Sequence, residues 1–530
     1  MQMPYSASSH ASSGPTLVPK TPERPQPRWV LPLLVSLTAL PRLLLFFLNE
    51  NYYGDAVART DLAVRWAAHP HWISSWADGT FQFGPLQIYL VGAMLKAWSS
   101  PEDAGRLVSL FFGIGAVVPL FLLSRRLFGW KAGLWSGLAF SCWGMHLQMS
   151  TTAASESLGL FLALWVFYFV EVALSENRFG ALAAAALFLN FACATRYDCW
   201  LWIPLIVVLL FLQGTDRIAG ATRAILFGLM SSPFPLFWMQ GNERASGDSL
   251  APLHDIENFH RTWVQDGLSR YGQIGFRLHN LFFWPASALA TLTPLVALCG
   301  IAGMIYAYRA FPHRRWLLWM AWIPTAYFTS RGAVLMTFSP LARFTVNQVV
   351  LLLPFVSYGF VRALEKTTTR QRRLAQVLVV TSALIGPVAL GLIAHHPQSR
   401  VARSLEPISP VSKNPPGVIQ VAHYLKDQVA AKPSADMAGT VLLDANSRYF
   451  DVLVGGFCGL SEEQLIRARW DNFKTLLKVA NLKFIVLMDD GQLRSKLSLV
   501  FRGPGVEVLG RKFSEISGFF PPFHVYRAEP

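Results

Sequence analysis

Two acidic positions carry residue types and surroundings suited to acid–base chemistry. The first is Asp55, in Asn51-Tyr-Tyr-Gly-Asp55-Ala-Val-Ala-Arg59, just beyond an apolar run that ends near residue 48. A carboxylate where a helix leaves a membrane sits in a lowered dielectric, which raises its proton affinity towards that of a useful general base. Arg59, four residues on, offers a plainer use as a surface ion pair worth well under about 1 kcal/mol. The second is Glu156, in Thr151-Thr-Ala-Ala-Ser155-Glu156-Ser157, a short turn between two apolar runs. Its plain reading is equally concrete: Ser155 caps the following helix and Glu156 offsets the helix dipole.

Three arginines follow at the ends of apolar runs: Arg196 in Ala194-Thr-Arg-Tyr-Asp198, Arg331, and Arg343 in Leu341-Ala-Arg-Phe344. Guanidinium groups there are suited to holding a phosphate bidentately, or they snorkel or pair with a neighbour such as Asp198. Arg42 lies inside an apolar run, where an ionisable group points to function unless a carbonyl or another helix satisfies it. His69 and His71, in Ala68-His-Pro-His-Trp72, are near Asp55 in sequence. Two histidines around a proline do not make a metal site.

The elements that must position these groups are membrane helices. Hydrophobic residues make up 53% of the 530 and charged residues 15%, against about 25% charged in average soluble domains, so the chain lacks the polar surface for water. The formal charge of +15 is spread in short clusters between apolar runs, as for loops facing an anionic leaflet, and this argues against nucleic acid as a partner. The five cysteines form no CxxC pair, so neither a zinc site nor a disulfide framework is expected. A span needs about 20 mostly apolar residues. About eleven are placed, near 29–48, 104–124, 131–148, 157–174, 180–195, 199–213, 223–240, 284–308, 316–331, 344–362 and 374–394. The apolar stretch 85–98 is short for a span, and letting it cross would turn the basic cluster Arg125–Lys131 and most later ones outward. It is therefore read as a helix on the outer surface, with Tyr89 and Trp98 at the interface.

The resulting organisation is a Ser-, Pro- and Thr-rich disordered cytoplasmic tail over 1–28, a helical membrane region over 29–394 with outer loops at 49–103 and 241–283, and an extracytoplasmic α/β domain over 395–530. In the last region, helical segments at 418–429 and 471–480 alternate with strand-like runs at 440–444, 483–488 and 523–527. The expected setting is an inner cell membrane crossed many times, with membrane lipids around it.

The order of the motifs resembles the GT-C glycosyltransferases, in particular bacterial members similar to dolichyl-phosphate-mannose–protein mannosyltransferases and to the lipid A aminoarabinose transferase. Gly54-Asp55-Ala56 stands where those enzymes carry Asp-Glu or Asp alone, so the second acid of the pair is missing. Phe83-Gly-Pro-Leu-Gln-Ile-Tyr89 matches the proline-led surface helix, and Arg106 the arginine of the next helix start. Ser124-Arg-Arg-Leu-Phe-Gly129 matches the inner turn, and Ser155-Glu156-Ser-Leu the second acidic position, with Glu for the commoner Asp. Thr195-Arg196-Tyr197-Asp198 and Ala342-Arg343-Phe344 resemble later signatures. The likeness covers about 1–360 and is densest over 49–160.

What the resemblance implies is inverting transfer of a sugar from a polyprenyl-phosphate donor to an extracytoplasmic protein, lipid or glycan. Asp55 would be the base. Arg196 and Arg343, with Arg59 or Arg42, would hold the phosphate. Glu156 would orient the acceptor or help hold a divalent metal, and Tyr53, Tyr89, Tyr197, His69 and His71 are candidates for the acceptor pocket. Two other classes compete: a transporter or flippase of lipid-linked cargo, which calls for internal repeats and midplane polar groups, and a non-catalytic scaffold presenting the C-terminal domain.

Overall fold

The computed structural model describes residues 27–51, 54–214, 216–395, 410–414, 416–430, 440–444, 450–460, 464–468, 482–489, 491, 493, 505–508, 511–519 and 521–529. Tyr53, all but the last two residues of the expected tail, and the helix expected over 471–480 lie outside the described residues.

Helix α1 (Val30–Leu48) shows the solvent logic of the whole bundle. Val30, Leu34, Thr38 and Arg42 recur every fourth residue and are buried, while Leu33, Leu37, Leu40, Leu44 and Phe47 face outward. A soluble helix would bury most of the leucines; here a face of leucines and Phe47 is left outward, as a lipid solvent favours, and the face carrying Thr38 and Arg42 meets protein. Helix α2 (Gly54–Ala68) follows, then α3 (Pro85–Ala97), the expected surface helix. At 13 residues it is too short to cross. Its Gln87 amide donates to the Ala153 carbonyl at 3.0 Å and its Leu86 N–H to the Ala194 carbonyl at 3.1 Å, so it lies across one end of the bundle. Trp98 is exposed, whereas Tyr89 is packed against Trp66 and Trp72.

The bundle continues with α4 (Pro101–Gly115), α5 (Val117–Phe128), α6 (Trp130–Ser141), α7 (Gly144–Met149), α8 (Ser155–Glu176) and α9 (Phe179–Cys193). Then come α10 (Trp202–Leu212), α11 (Arg217–Ser231), α12 (Pro233–Ser246), α13 (Ala251–Leu292), α14 (Pro294–Ala310), α15 (Trp316–Thr329), α16 (Val346–Glu365) and α17 (Thr369–His395). Each expected span contains helix, but among the described residues five stretches are long and apolar enough to cross: Val30–Leu48, Pro101–Phe128, Ser155–Glu176, Ala342–Glu365 and Thr369–Ala389, or six if the bent pair Ala251–Leu292 and Pro294–Ala310 counts as one span. Phe179–Cys193 and Tyr197–Leu212 are apolar and shorter. The span expected over 284–308 is not one rod. It breaks between α13 and α14 with a 117° bend, where Thr293 adopts φ 70° and Pro294 cannot donate to the preceding turn.

The two ends of the bundle differ in charge chemistry. At one end, Arg126 pairs with Glu176 at 2.7 Å, Arg178 with Glu176 at 3.2 Å and Arg362 with Glu365 at 2.7 Å. At the other, the C-terminus of α9 and the N-termini of α2, α8 and α16 come together with their acids and arginines.

The C-terminal region contributes α18 (Pro416–Leu425), α19 (Phe450–Cys458) and six strands: β1 (Val441–Asp444), β2 (Leu465–Ala468), β3 (Phe484–Met488), β4 (Gly505–Val508), β5 (Arg511–Ile516) and β6 (Phe523–Ala528). They form one sheet in the order β2-β1-β3-β6-β5-β4. β1 pairs parallel with β2 and β3, and the other pairings are antiparallel. All five residues of β3 and all four of β1 are buried, as in strands covered on both faces. The strand-like runs expected at 440–444, 483–488 and 523–527 are β1, β3 and β6.

Candidate functional site

Four chain segments far apart in sequence bring their charged groups to one end of the bundle. Glu156 is the second residue of α8, where the free amides and the dipole favour a carboxylate. Arg196 follows the C-terminus of α9, Arg343 sits in the single 3₁₀ turn Ala342–Thr345 that opens α16, and Asp55 stands in the first turn of α2. Each is held by a helix terminus, a more rigid mount than a loop.

The ion pairs form a chain. Asp55 Oδ2 lies 2.6 Å from Arg343 Nη2, and Arg343 Nη1 lies 3.9 Å from Glu156 Oε1. The same Glu156 oxygen is 2.8 Å from Arg196 Nη1, which also donates to Ser155 Oγ at 3.2 Å. Arg196 Nε and Nη2 reach the two oxygens of Asp198 at 3.0 and 3.4 Å, and Asn347 donates to Asp198 Oδ2 at 2.8 Å. Burial of Arg196 works against its charge, but Asp198 and Glu156 outweigh that and raise its pKa, so the guanidinium stays ionised. Gly159, one turn below Glu156, makes room for this arrangement: a Cβ there would meet Arg196 Cδ at 2.7 Å.

Exposure separates the two acids. The Glu156 side chain is 2% exposed, against 32% for Asp55. Of the two, only Asp55 can meet a molecule arriving from outside. Glu156 is enclosed by the guanidinium groups of Arg196 and Arg343. Arg59 is buried beside them, its guanidinium 4.0 Å from the centre of the Phe83 ring. Among the described residues its Nη1 has no hydrogen-bond partner. The surface pair of Asp55 with Arg59 that the four-residue spacing suggests is replaced by the pair with Arg343.

The remaining candidates fall elsewhere. Arg42 lies between helices, donating to Thr38 O at 2.9 Å, Ser150 Oγ at 3.2 Å, and Phe140 O and Ser141 O at 3.4 Å, with His146 Nδ1 2.9 Å away. Phe140 and Ser141 end α6, so Arg42 caps the last carbonyls of that helix, sharing Phe140 O with the Trp143 N–H, and is not among the site arginines. Arg42→Met is therefore expected to lower stability by about 1–3 kcal/mol. Thermal unfolding in detergent measures the effect, and a melting temperature equal to the parent's would contradict the capping assignment.

Tyr89 Oη accepts from the Ile73 N–H at 2.7 Å and Tyr197 Oη from Trp238 Nε1 at 3.0 Å, so both phenols are taken up by packing around one apolar cluster. His69 and His71 are exposed. The ring nitrogens of His71 face the carbonyls of His69 and Asp78 at 2.8 and 3.1 Å, contacts that raise its pKa, and they tie the loop to itself. Arg331, grouped with Arg196 and Arg343 by sequence, pairs instead with Glu257 at 3.4 Å. Among the described residues no three His, Cys, Asp or Glu side chains gather to hold a metal ion, and the acids of the site are already engaged by arginines. That donor set does not fit a divalent cation. Sequence reading overlooked Gly159, Ser155 as an acceptor for Arg196, and Asn347; a small residue one turn from Glu156 was the visible signal for the first.

Residues 82–233 match the family model described as dolichyl-phosphate-mannose-protein mannosyltransferase. Among solved structures, ArnT from Cupriavidus metallidurans bound to undecaprenyl phosphate is similar at TM-score 0.62 and 12% identity, over 94% of this chain and 97% of that one. The oligosaccharyltransferase AglB from Archaeoglobus fulgidus, in complex with an inhibitory peptide and a dolichol-phosphate, is similar at TM-score 0.53 and 14% identity, over 87% of this chain and 69% of that one. No curated protein matches the chain by sequence. The fold is that of the GT-C glycosyltransferases, and the chain is a multi-pass membrane protein.

Proposed function

We propose that the protein transfers a sugar from a polyprenyl-phosphate donor to an acceptor hydroxyl, with inversion, at the outer face of the membrane. The reading rests above all on one observation: an accessible carboxylate, Asp55, shares a guanidinium with a buried carboxylate inside a cluster of arginines. Polyprenyl-phosphate ligands in ArnT and AglB, the named structures of like fold, support the choice of donor.

The chemistry follows from what each group can do. The acceptor oxygen attacks the anomeric carbon as Asp55 takes its proton, and the bond from that carbon to the phosphate oxygen breaks with its electron pair. The phosphate passes from a singly charged diester to a more negative monoester, so charge grows where Arg343 and Arg59 stand. Donors fixed before the reaction stabilise that growth without reorganisation. In the resting site Arg343 occupies one oxygen of Asp55. An entering phosphate competes for the same guanidinium and releases the carboxylate for proton transfer. Arg59, buried over Phe83 with one nitrogen unmatched, is the second phosphate donor. Arg196 and Glu156 form the frame behind them. The site end of the bundle and the C-terminal sheet face outward, and the basic end, where α1 begins, faces the cytoplasm.

The test is reconstituted protein with a labelled polyprenyl-phosphate sugar, reading the release of polyprenyl phosphate and the anomeric configuration of the product. Release without any acceptor-dependent product, or uptake of the lipid into vesicles with its sugar–phosphate bond intact, would count against transfer. In the same assay Arg343→Ala is expected to raise the donor KM about 10- to 100-fold, the loss of a charge-assisted contact of about 1.5–3 kcal/mol. Arg343→Lys should recover part of it, because an ammonium keeps the charge without the two-pronged geometry. Equal donor KM in all three proteins would remove Arg343 from the phosphate site.

A further inference from the structure

The approach to Asp55 is pinned by a segment from the far end of the chain. After α17 the described chain resumes at 410–414, and this strand-like stretch lies along residues 49–51, just before α2. Asn49 donates to Pro410 O at 2.9 Å and accepts from Ser412 N at 2.9 Å. The Glu50 N–H donates to Ser412 O at 3.0 Å, and Ser412 Oγ returns a bond to Glu50 O at 3.2 Å. Glu50 Oε2 accepts from the backbone and side-chain nitrogens of Asn414 at 2.8 and 3.3 Å, and its Oε1 faces Lys413 Nζ at 3.1 Å. Asn414 Nδ2 also donates to Asn51 O at 2.8 Å.

The same joint holds the approach to Glu156. Asn49 Nδ2 donates to Thr151 Oγ1 at 2.6 Å, and Asn51 Oδ1 accepts from the Ala153 N–H at 3.0 Å. Arg106 ties the two sides, donating to Thr151 O at 2.9 Å and Asn49 O at 2.6 Å. Asn49, Asn51, Arg106, Thr151, Ser412 and Asn414 are all buried. A buried polar network of this density costs desolvation and is worth having where one arrangement must be specified over others. Apolar packing reinforces it. Val57, two residues past Asp55, is buried among Val418, Val421 and Leu425 of α18 and Leu453, Val454 and Phe457 of α19. A Cβ on Gly456 would meet Val57 Cγ1 at 2.3 Å.

We infer that the 410–414 segment sets the position of Asp55 relative to Glu156, with Glu50 and Asn414 as positioning residues for the transfer reaction. The inference rests on the function proposed above for Asp55. Both acids hang from one joint, Asp55 five residues after Glu50 and Glu156 three after Ala153. Loosening the joint moves the base against the arginine frame without touching the phosphate donors themselves. Misplacement by about 1 Å is enough to slow an oriented reaction about 100-fold.

The experiment compares full-length Asn414→Ala, Glu50→Ala and Glu50→Gln with the parent chain by two readouts. The first is hydrogen–deuterium exchange of a peptide spanning 49–60. The second is turnover and donor KM with a labelled polyprenyl-phosphate sugar. Asn414→Ala and Glu50→Ala are expected to exchange faster there and to lose about 10- to 100-fold in kcat with donor KM changed less than about twofold. Glu50→Gln keeps an oxygen to accept from Asn414 and is expected to retain most turnover, which a role confined to the exposed Lys413 pair would not give. Unchanged exchange in both alanine variants overturns the pin whatever the assay reads. Faster exchange with undiminished kcat overturns the positioning role. Faster exchange in variants of a chain that never transfers sugar would support the pin and count against the transferase reading, so the two failures are separable.

Discussion

Asp55→Asn is expected to lower sugar transfer about 10²- to 10⁴-fold while the protein stays folded and binds the donor. The size comes from what asparagine retains. Its amide oxygen still accepts from Arg343, now as a neutral partner of a cation, so the local geometry at 2.6 Å has an acceptor in place. It cannot take a proton at neutral pH, and neither other acid of the cluster can replace it: Glu156 is 2% exposed and Asp198 is held by Arg196 and Asn347. Donor KM should stay level or fall, because Arg343 no longer has a competing carboxylate. Asp55→Glu should recover little, since the longer side chain moves its oxygens beyond Arg343 by about one methylene. The measurement is single-turnover transfer with saturating donor, with thermal unfolding as the control. An Asp55→Asn protein turning over at the parent rate would remove Asp55 as the base, and a rate loss matched by unfolding would leave the role structural.

The bundle was legible in the sequence because membrane solvent imposes a simple rule, long apolar runs with charge between them. The breaks were not. An apolar window reads composition, and composition does not show that Thr293 takes a positive φ or that Pro294 turns α14 through 117° from α13. The site was legible as a set of motifs in order and illegible as a set of contacts. Local spacing pairs Asp55 with Arg59, but the realised partner, Arg343, is 288 residues away, and Arg59 turns to the Phe83 face. Arg42 carries the same sequence signal as a site arginine, an ionisable group inside an apolar run. What separates it is the carbonyl end of α6 beside it, known only once the helices are assembled. His69 and His71 are near Asp55 along the chain, yet the loop folds back on its own carbonyls and leaves them exposed. Arg196, Asp198 and Glu156 were the most readable group. Arg196 and Asp198 are two residues apart, and Glu156 is fixed by its place in the first turn of α8.

Glu156→Ala is expected to be the most destabilising single change in the site, at about 3 kcal/mol, the lower end of the cost of stripping one partner from a buried ion pair. The cost sits at the lower end because neither arginine is left alone: Arg196 keeps Asp198 and Arg343 keeps Asp55. What is lost is the oxygen between them, Oε1, 2.8 Å from Arg196 and 3.9 Å from Arg343. Without it the two guanidinium groups repel across a buried gap, and Arg343 swings towards Asp55 and holds it more tightly. Transfer should therefore fall even in the fraction that stays folded, through donor KM as well as kcat, because the phosphate must compete harder with Asp55 for Arg343. Glu156→Gln separates charge from shape. Its amide oxygen can still accept from Arg196, so it should recover part of the stability and less of the turnover, because the repulsion remains. The measurement is thermal unfolding in detergent beside kcat for parent, alanine and glutamine proteins. A glutamine protein equal to the parent in both would show that the buried negative charge does not set the arginine frame, and Glu156 would return to offsetting its own helix dipole.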